Sequence, residues 1–345
     1  MVARLSPTKI LWPLIFLTPL LLILSLAVGP VEIPLDLFFE LWSPLRSGDE
    51  ALLAGSRTVV IDIRLPRVLL AWLVGAGLAL SGAAMQGLFR NPLADPSIVG
   101  VTSGASLGAS VALVVGGVSA GQFGGLSLLV LGAFLGGVLA VALVYRLATS
   151  SSGTSVATML LVGIAITAVA AAGNSLLAYF SDDETLRRIS LWNMGGLDAA
   201  NAVRVGVAAL VILPAMLAIL RYGRSLDILL LGESEARHLG VDVQRLKWVL
   251  VLWVAVTVAT AVALAGVIGF VGLIVPHLLR LLMGPRHAGL FPCCIFAGGA
   301  LLLLADSLAR TLVSPAELPV GVLTALLGAP LFVSLLRRRH EYGML

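Results

Sequence analysis

Long runs of apolar residues, separated by short polar segments, make up most of this chain. A transmembrane helix needs about 20 predominantly apolar residues to cross the roughly 30 Å of hydrocarbon in a bilayer. The ten runs predicted to form membrane helices are residues 11–29, 67–89, 98–118, 126–148, 155–180, 202–222, 247–266, 268–283, 290–313 and 319–336. The eighth run is short and contains glycine and proline, so we interpret it as a partly re-entrant helix protected by its neighbours.

This pattern predicts an all-α integral membrane protein in which residues 1–345 form a single transmembrane domain of about ten helices. Composition agrees, because 59% of the 345 residues are hydrophobic and only 12% are charged, with a mean hydropathy of +1.07. The 37 glycines are spread through the apolar runs. Small residues four apart, as in residues 104–108 and 132–136, let helix backbones approach closely. We therefore expect a compact bundle.

Three polar segments interrupt the apolar pattern. Residues 30–63 have apolar positions at helical spacing with acids between them, which is typical of an amphipathic segment lying on the outer membrane surface. Residues 181–201 are predicted to form a short external helix closed by two glycines. Residues 221–248 carry mixed charge and are predicted to lie inside, with two short amphipathic helices hinged at Gly240. A solvated connector is the alternative for this internal segment.

The distribution of basic residues predicts the orientation. With the N-terminus inside, 14 of the 22 Lys and Arg residues fall on the inner side of the membrane, as the positive-inside rule requires. Most acidic residues fall outside. Both termini are therefore predicted to be cytoplasmic, and the net charge of +4 reflects membrane sidedness rather than a nucleic-acid surface.

Motifs for enzymatic chemistry are weak in this sequence. Residues 104–108 match G-x-S-x-G around Ser106, but the match lies inside an apolar helix instead of a strand-turn-helix elbow. The four histidines are scattered and form no zinc-binding pattern. Cys293 and Cys294 are adjacent in an apolar helix, where side chains point about 100° apart, so we interpret them as packing residues. No catalytic or metal site is predicted.

Energy coupling by an ion gradient is also poorly supported. Asp306 is the one acid well inside an apolar run, and Arg310 follows it by one helical turn, so a structural ion pair is favoured over a coupling site. ATP hydrolysis by this chain would need a phosphate-binding loop with a lysine, and neither Lys9 nor Lys247 lies in one. We therefore expect ATP and magnesium to be used by a separate subunit that binds the internal segment at residues 221–248.

Several segments carry a resemblance to a known family. They are "RLPRVLLAWLVGAGLALSGAAMQGLFRNPLADPSIVG", "LWNMGGLD", "GESEARHLGVDVQRLK", "GFVGLIVPHLLRLL" and "LLLLADSLARTLVSPAELPVGVLTALLGAPLFVSLL". In order and spacing they resemble the FecCD family, the permease subunits of type II ABC importers for iron-siderophores, haem and vitamin B12. The resemblance implies the ten-helix permease fold of that family in a bacterial inner membrane.

The resemblance also implies partners. The permease is expected to form a homodimer with the transport path along its axis, to sit on two cytoplasmic ATP-binding subunits and to receive substrate from a periplasmic binding protein. No cofactor is expected on this chain. The internal loop at about 223–246 is expected to contact the ATPase. The candidate coupling residues are Glu233, Glu235, Ala236, Leu239 and Gly240.

The resemblance further assigns a gate and a docking surface. Pro92 and Pro96 break the helix after the second apolar run, and by similarity to the vitamin B12 importer Asn91 and Leu93 fall at the lower gate. A plain helix-breaking turn is the alternative. A second constriction is expected in the loop before the fifth helix, without a particular residue. The arginines expected to receive acidic residues of the binding protein are Arg64, Arg67 and Arg310, with interfacial snorkelling as the alternative.

Substrate identity is the point that the sequence leaves open. An iron chelate, either a ferric siderophore or haem, is expected because these form the larger class in the family. Vitamin B12 is the alternative cargo, and an ion-coupled secondary transporter is the alternative mechanism.

Overall fold

The computed structural model describes residues 5–34, 38, 55–116, 122–123, 126–151 and 153–341. These ranges contain thirteen α-helices and two short antiparallel hairpins. The α-helices are α1 Pro7–Ala27, α2 Leu65–Leu88, α3 Val101–Gly116, α4 Leu128–Leu147, α5 Val156–Phe180, α6 Asp183–Asn193, α7 Ala202–Leu220, α8 Gly223–Leu229, α9 Glu233–His238, α10 Val243–Ala265, α11 Val271–Met283, α12 His287–Thr311 and α13 Val320–Glu341. The hairpins are β1 Gln122–Phe123 with β2 Leu126–Ser127, and β3 Thr149–Ser150 with β4 Gly153–Thr154.

Each of the ten predicted apolar runs corresponds to a helix. Within the described ranges, seven helices are long and apolar enough to cross a membrane, and α3, α11 and the described part of α13 are shorter apolar helices. Helix α11 has 13 residues and so spans roughly 20 Å, less than the roughly 30 Å of hydrocarbon. The non-helical segment before it ends at Phe270, whose φ of 67° is left-handed. The predicted shortness of this helix is therefore confirmed.

The helix that contains α2 begins earlier than predicted. It runs continuously from Gly55 to Leu88, because a π-helix, Thr58–Arg64, leads directly into α2. Pro66 lacks an N–H to donate to the carbonyl four residues before it, and the widened turn lies just ahead of this proline. Residues 58–63 of the segment predicted to lie on the membrane surface are thus helical and continuous with α2. The surface position of residues 30–63 stays a prediction, and residues 35–37 and 39–54 lie outside the described part of the chain.

Polar side chains set the starts of several helices. Asp182 accepts a hydrogen bond from the Thr185 N–H at 2.7 Å at the start of α6, and Asp242 accepts one from the Arg245 N–H at 3.0 Å at the start of α10. Such caps satisfy donors that have no partner within the helix. The predicted external helix in residues 181–201 is α6, and Gly195 follows it with a left-handed φ of 71°.

Glycine brings the helix backbones together. Helices α3 and α4 cross where Gly104 and Gly108 face Gly132 and Gly136, so closely that a Cβ on Gly108 would overlap the Gly132 carbonyl oxygen. Helices α2 and α12 meet in the same way at Gly75. The buried apolar residues form one continuous core, and α2 is its centre, with 89% of its most apolar stretch buried. The predicted small-residue packing is confirmed.

Candidate functional site

A cavity of about 540 Å³ lies between α2, α3, α5, α10 and α11. Its wall includes the segment that follows α2 and the non-helical residues 267–270 that precede α11. Most of the lining is small or apolar, and its hydroxyl-bearing residues are Ser97, Thr102, Ser103 and Thr167. Among the described residues of the lining, Asp95 is the one with an ionisable side chain. The cavity therefore offers a smooth, weakly polar surface.

The turn between α2 and α3 borders this cavity. Asn91 Oδ1 accepts a hydrogen bond from the Leu93 N–H at 2.9 Å, which closes a tight turn. Asp95 Oδ1 accepts from the Ser97 N–H at 2.8 Å and caps a short 3-10 helix, Pro96–Val99. Asp95 thus sets the start of this short helix, whereas the Asn91 side chain stabilises the turn before it.

The two predicted gate residues lie on the surface of the subunit. Asn91 is exposed, and Leu93 retains 38% of its accessible surface. An exposed leucine on a turn held by its own hydrogen bonds is available for contact with a second copy. The gate role itself stays a prediction.

The internal polar segment forms two short helices, α8 and α9, that lie between α7 and α10. Gly240 follows α9 with a left-handed φ of 84° and lies in the turn that joins α9 to α10. The prediction of a second short helix after Gly240 is wrong, because those residues form the first turns of the long helix α10. The additional short helix is instead α8, and Gly232, with a φ of 119°, separates it from α9.

The five candidate coupling residues divide into surface and core. Glu235, Leu239 and Gly240 are exposed, and Leu239 shows 59% of its surface. Ala236 is fully buried, so it anchors α9 and offers no surface to a partner. Glu233 is half-buried and forms an ion pair with Lys247 at 2.8 Å. Of the five candidates, Glu235, Leu239 and Gly240 therefore have surface open to a partner, and their coupling role stays a prediction.

The segment is fixed to the helix bundle through Asp227 of α8. Asp227 Oδ1 lies 2.9 Å from His287 Nδ1, and the backbone N–H groups of His287 and Ala288 also donate to this carboxylate. Burial alone would raise the pKa of the Asp227 carboxyl, but these hydrogen bonds outweigh it and hold the pKa below its usual value. His287 Nε2 in turn lies 3.2 Å from Arg280, which donates to the Ala83 carbonyl of α2.

A buried charge network occupies the opposite end of the bundle. Arg67 donates to Asp306 at 2.9 Å and to Glu317 at 2.7 Å, and Arg310 lies 3.0 Å from the second carboxylate oxygen of Asp306. Arg64 donates to backbone carbonyls at the end of α1. The exposed fractions of Arg64, Arg67 and Arg310 are 3%, 6% and 2%. The structural ion pair predicted for Asp306 and Arg310 is confirmed.

This burial bears on the docking role that the resemblance implies for the three arginines. Arg64 and Arg310 are held by carbonyl oxygens of residues 25–31, so they join α1 to α2 and α12 instead of presenting a guanidinium to a partner. These two side chains therefore present little surface for direct docking, and the docking role of the three arginines stays a prediction. Arg67 differs, because it borders a surface groove of about 210 Å³ with Asp198 and Glu317.

Comparison with known proteins identifies the family. The model of the FecCD transport family matches residues 17–338. The chain belongs to the FecCD transport family. It is 44% identical over 329 residues to the hemin transport system permease protein HmuU of Yersinia pestis, which covers 93% of this chain and 95% of that protein. It is 39% identical over 331 residues to the vitamin B12 import system permease protein BtuC of Vibrio vulnificus, covering 95% and 94%.

A solved structure agrees with this assignment. A metal-chelate type ABC transporter in an inward-facing conformation matches with a TM-score of 0.83 and 36% identity, covering 96% of this chain and 99% of that one. The fold of this FecCD protein is therefore that of an ABC importer permease, and about ten membrane helices are consistent with the helices described.

The sequence did not indicate which residues fix α8 and α9 to the helix bundle of this FecCD permease. Asp227, His287 and Lys247 come from three different helices, and their pairings span 60 residues in one case and 14 in the other. A signal was present for Lys247, since an ionisable residue at the start of an apolar helix is rare and needs a partner. Nothing in the sequence pointed to that partner.

Proposed function

We propose that this FecCD permease imports an iron chelate, a ferric siderophore or haem, along the interface between two copies of the chain. Hydrolysis of ATP with magnesium occurs on two separate cytoplasmic subunits, and a periplasmic binding protein delivers the cargo. The observation that carries the cargo class is the likeness to the hemin permease HmuU, at 44% identity over nearly the full length of both chains. The weakly polar cavity supports it, because a bulky chelate must move along the path without being held.

The role of a second copy is supported by helix α5. Only 17% of its most apolar stretch is buried within the subunit, and it contributes Ile164 and Thr167 to the cavity wall. A cavity bordered by so exposed a helix is completed by another surface. Closed symmetric dimers are the commonest way for identical chains to build such a shared site.

The orientation follows the excess of basic residues on one side. In the proposed arrangement both termini, α8 and α9 face the cytoplasm of a bacterial cell, and Leu239 at the tip of the segment meets the ATPase. The alternative of an ion-coupled transporter loses support, since the Asp306 carboxylate forms ion pairs with two arginines. A carboxylate paired in this way is poorly placed to bind a transported ion.

The binding protein is proposed to dock at the end of the bundle that carries Arg67 and Glu317. Glu317 keeps 35% of its side chain exposed. An incoming carboxylate can therefore replace Glu317 on Arg67, for which the bidentate geometry of a guanidinium is well suited. Arg67 is thus the one of the three candidate arginines that we propose for docking.

The cargo is tested by reconstitution. The permease, its ATPase subunit and its binding protein are placed in proteoliposomes, and ATP-dependent uptake of haem, a ferric siderophore and cobalamin is compared. Uptake of haem or the ferric siderophore above cobalamin is the expected result. Uptake of cobalamin alone would establish vitamin B12 as the cargo instead. The likeness to the BtuC protein of Vibrio vulnificus supports that alternative. Accumulation by the permease alone on an ion gradient would contradict the proposed mechanism.

A further inference from the structure

The short hairpin between α4 and α5 leads directly into the most exposed of the long helices. Strand β3, Thr149–Ser150, pairs with β4, Gly153–Thr154, and α5 begins two residues after Thr154. The Ser155 side chain caps α5 by accepting from the Thr158 N–H at 3.3 Å. Any displacement of this hairpin is therefore passed to the first turn of α5.

A buried lysine joins this hairpin to α9. The Lys247 side chain is 3% exposed, and its Nζ lies 2.8 Å from Glu233 Oε1. The same Nζ donates to the Thr154 carbonyl at 2.8 Å. One ammonium group thus contacts the first residue of α9 and the last residue of the hairpin, while its own backbone belongs to α10.

A second side chain of α10 holds the same hairpin residue. Gln244 Oε1 accepts a hydrogen bond from the Thr154 N–H at 3.0 Å. Gln244 and Lys247 are three residues apart and share one face of the helix. A Cβ on Gly153 would overlap the Gln244 side chain, so the hairpin fits closely against α10. The backbone N–H and C=O of Thr154 are both bound to α10.

Separating Lys247 from Glu233 is costly, because a buried ammonium that loses a partner is left with an uncompensated charge. Movement of α9 that draws Glu233 away would leave the carbonyl of Thr154 as the remaining polar contact of the Lys247 ammonium within the described part of the chain. The position of Lys247, and with it that of the hairpin, is thereby coupled to the position of α9.

We propose that Lys247 is a positioning residue that transmits ATP-driven displacement of α9 to the hairpin at residues 149–154 and so to the start of α5. The proposal rests on the proposed function, in which α9 meets an ATPase subunit. In this role Lys247 of α10 connects α9 to the hairpin, two elements that are far apart in the sequence.

The test follows movement of the hairpin in the complete transporter. Cys293 and Cys294 are replaced by alanine, Ser151, which is exposed, is replaced by cysteine, and a nitroxide is attached there. Distances between the labels of the two copies are measured in nanodiscs, with the ATPase subunits bound, before and after trapping with ATP and vanadate. The variants are Lys247→Met, which removes the ammonium, and Lys247→Arg, which keeps a cation. Lys9→Met, at an exposed position of α1, is the matched control.

The labelled parent and Lys9→Met are expected to show the same ATP-dependent change in distance. Lys247→Met should lose more than half of this change, and Lys247→Arg should restore most of it. A full change in Lys247→Met overturns the proposal. If Lys247→Met does not assemble, Glu233→Gln removes the charge on the other side of the link, and a full change in that variant overturns the proposal equally.

The outcomes separate this proposal from the proposed function. A parent chain that does not copurify with an ATPase subunit contradicts the proposed function. A parent complex that assembles and hydrolyses ATP without any change of distance at residue 151 contradicts the role of Lys247 alone.

Discussion

Arg310 lies one helical turn beyond Asp306 on α12, with its Nε 3.0 Å from a carboxylate oxygen, and both side chains are at most 2% exposed. Arg67 of α2 approaches the other oxygen of the same carboxylate at 2.9 Å. One buried acid therefore pairs with two buried cations and joins α2 to α12. This arrangement makes Asp306 a structural residue and removes it from consideration as an ion-coupling site.

Asp306→Asn is expected to destabilise the protein strongly. Removing one partner of a buried ion pair leaves uncompensated charge and costs about 3–5 kcal/mol. The matched control is Glu184→Gln, since Glu184 forms an exposed i, i+4 pair with Arg188 at 2.7 Å, and such pairs contribute about 0.3–0.5 kcal/mol. Thermal unfolding in detergent measures both. Equal unfolding temperatures for the two variants would contradict the structural role of Asp306.

Gly108→Ala is expected to loosen the packing of α3 against α4. Its methyl group would overlap the Gly132 carbonyl, and overpacking of this kind typically costs about 1–3 kcal/mol. Gly206→Ala is the control, because nothing lies within 4 Å of a Cβ at that helical position. The control should be neutral or more stable by up to about 1 kcal/mol. Chemical unfolding of the two variants in the same micelle checks this, and a neutral Gly108→Ala would show that the two helices are farther apart.

Asp227 is expected to make stability fall in acid. Its pKa is lower in the folded protein than the ordinary value of 3.8, so its contribution is complete above that value and is lost as the pH falls through the lowered pKa. Asp227→Asn abolishes this titration. The difference in unfolding temperature between wild type and Asp227→Asn should be largest at neutral pH and shrink below about pH 4. A constant difference down to pH 2 would argue against the hydrogen bonds to His287 and Ala288.

Gly240 is expected to need its left-handed backbone. Gly240→Ala keeps the φ of 84° only at a cost, while open space surrounds the position, so backbone strain of about 1 kcal/mol is the main effect. Asparagine tolerates this conformation better. With α9 as the ATPase contact, Gly240→Ala should lower uptake in proteoliposomes more than Gly240→Asn does. The same loss in both variants would indicate that the side chain, and not the backbone, disturbs the contact.

Arg67 provides the test of docking. Arg67→Ala leaves Asp306 paired with Arg310 and removes the guanidinium from the groove. Stimulation of ATPase activity by the binding protein should be lost, while the basal rate of the assembled complex persists. Arg188→Ala, at an exposed position of α6, is the control and should keep the stimulation. Full stimulation in Arg67→Ala would exclude Arg67 from the docking surface.

The fold was accessible from the chain itself, because a bilayer imposes its thickness on every crossing segment. The apolar runs at 155–180 and 202–222 differ from α5 and α7 by no more than two residues at either end. The helix break at residues 91–96 could also be predicted from the sequence, since proline restricts the backbone wherever it occurs. The start of the second helix was missed, because a π-helix that continues through polar residues has no distinct signature.

The roles of charged side chains were decided by the tertiary structure. Arg64 and Arg310 looked like surface residues near helix ends, yet each is buried against the carbonyl groups at the end of α1. Lys247 looked like the polar border of an apolar run, yet it contacts two other elements. Hydrophobic length is a property of consecutive residues, so the sequence alone determines which segments are helices in the membrane. A buried charge is stabilised only by groups that distant segments bring to it, and those contacts exist only once the chain is folded.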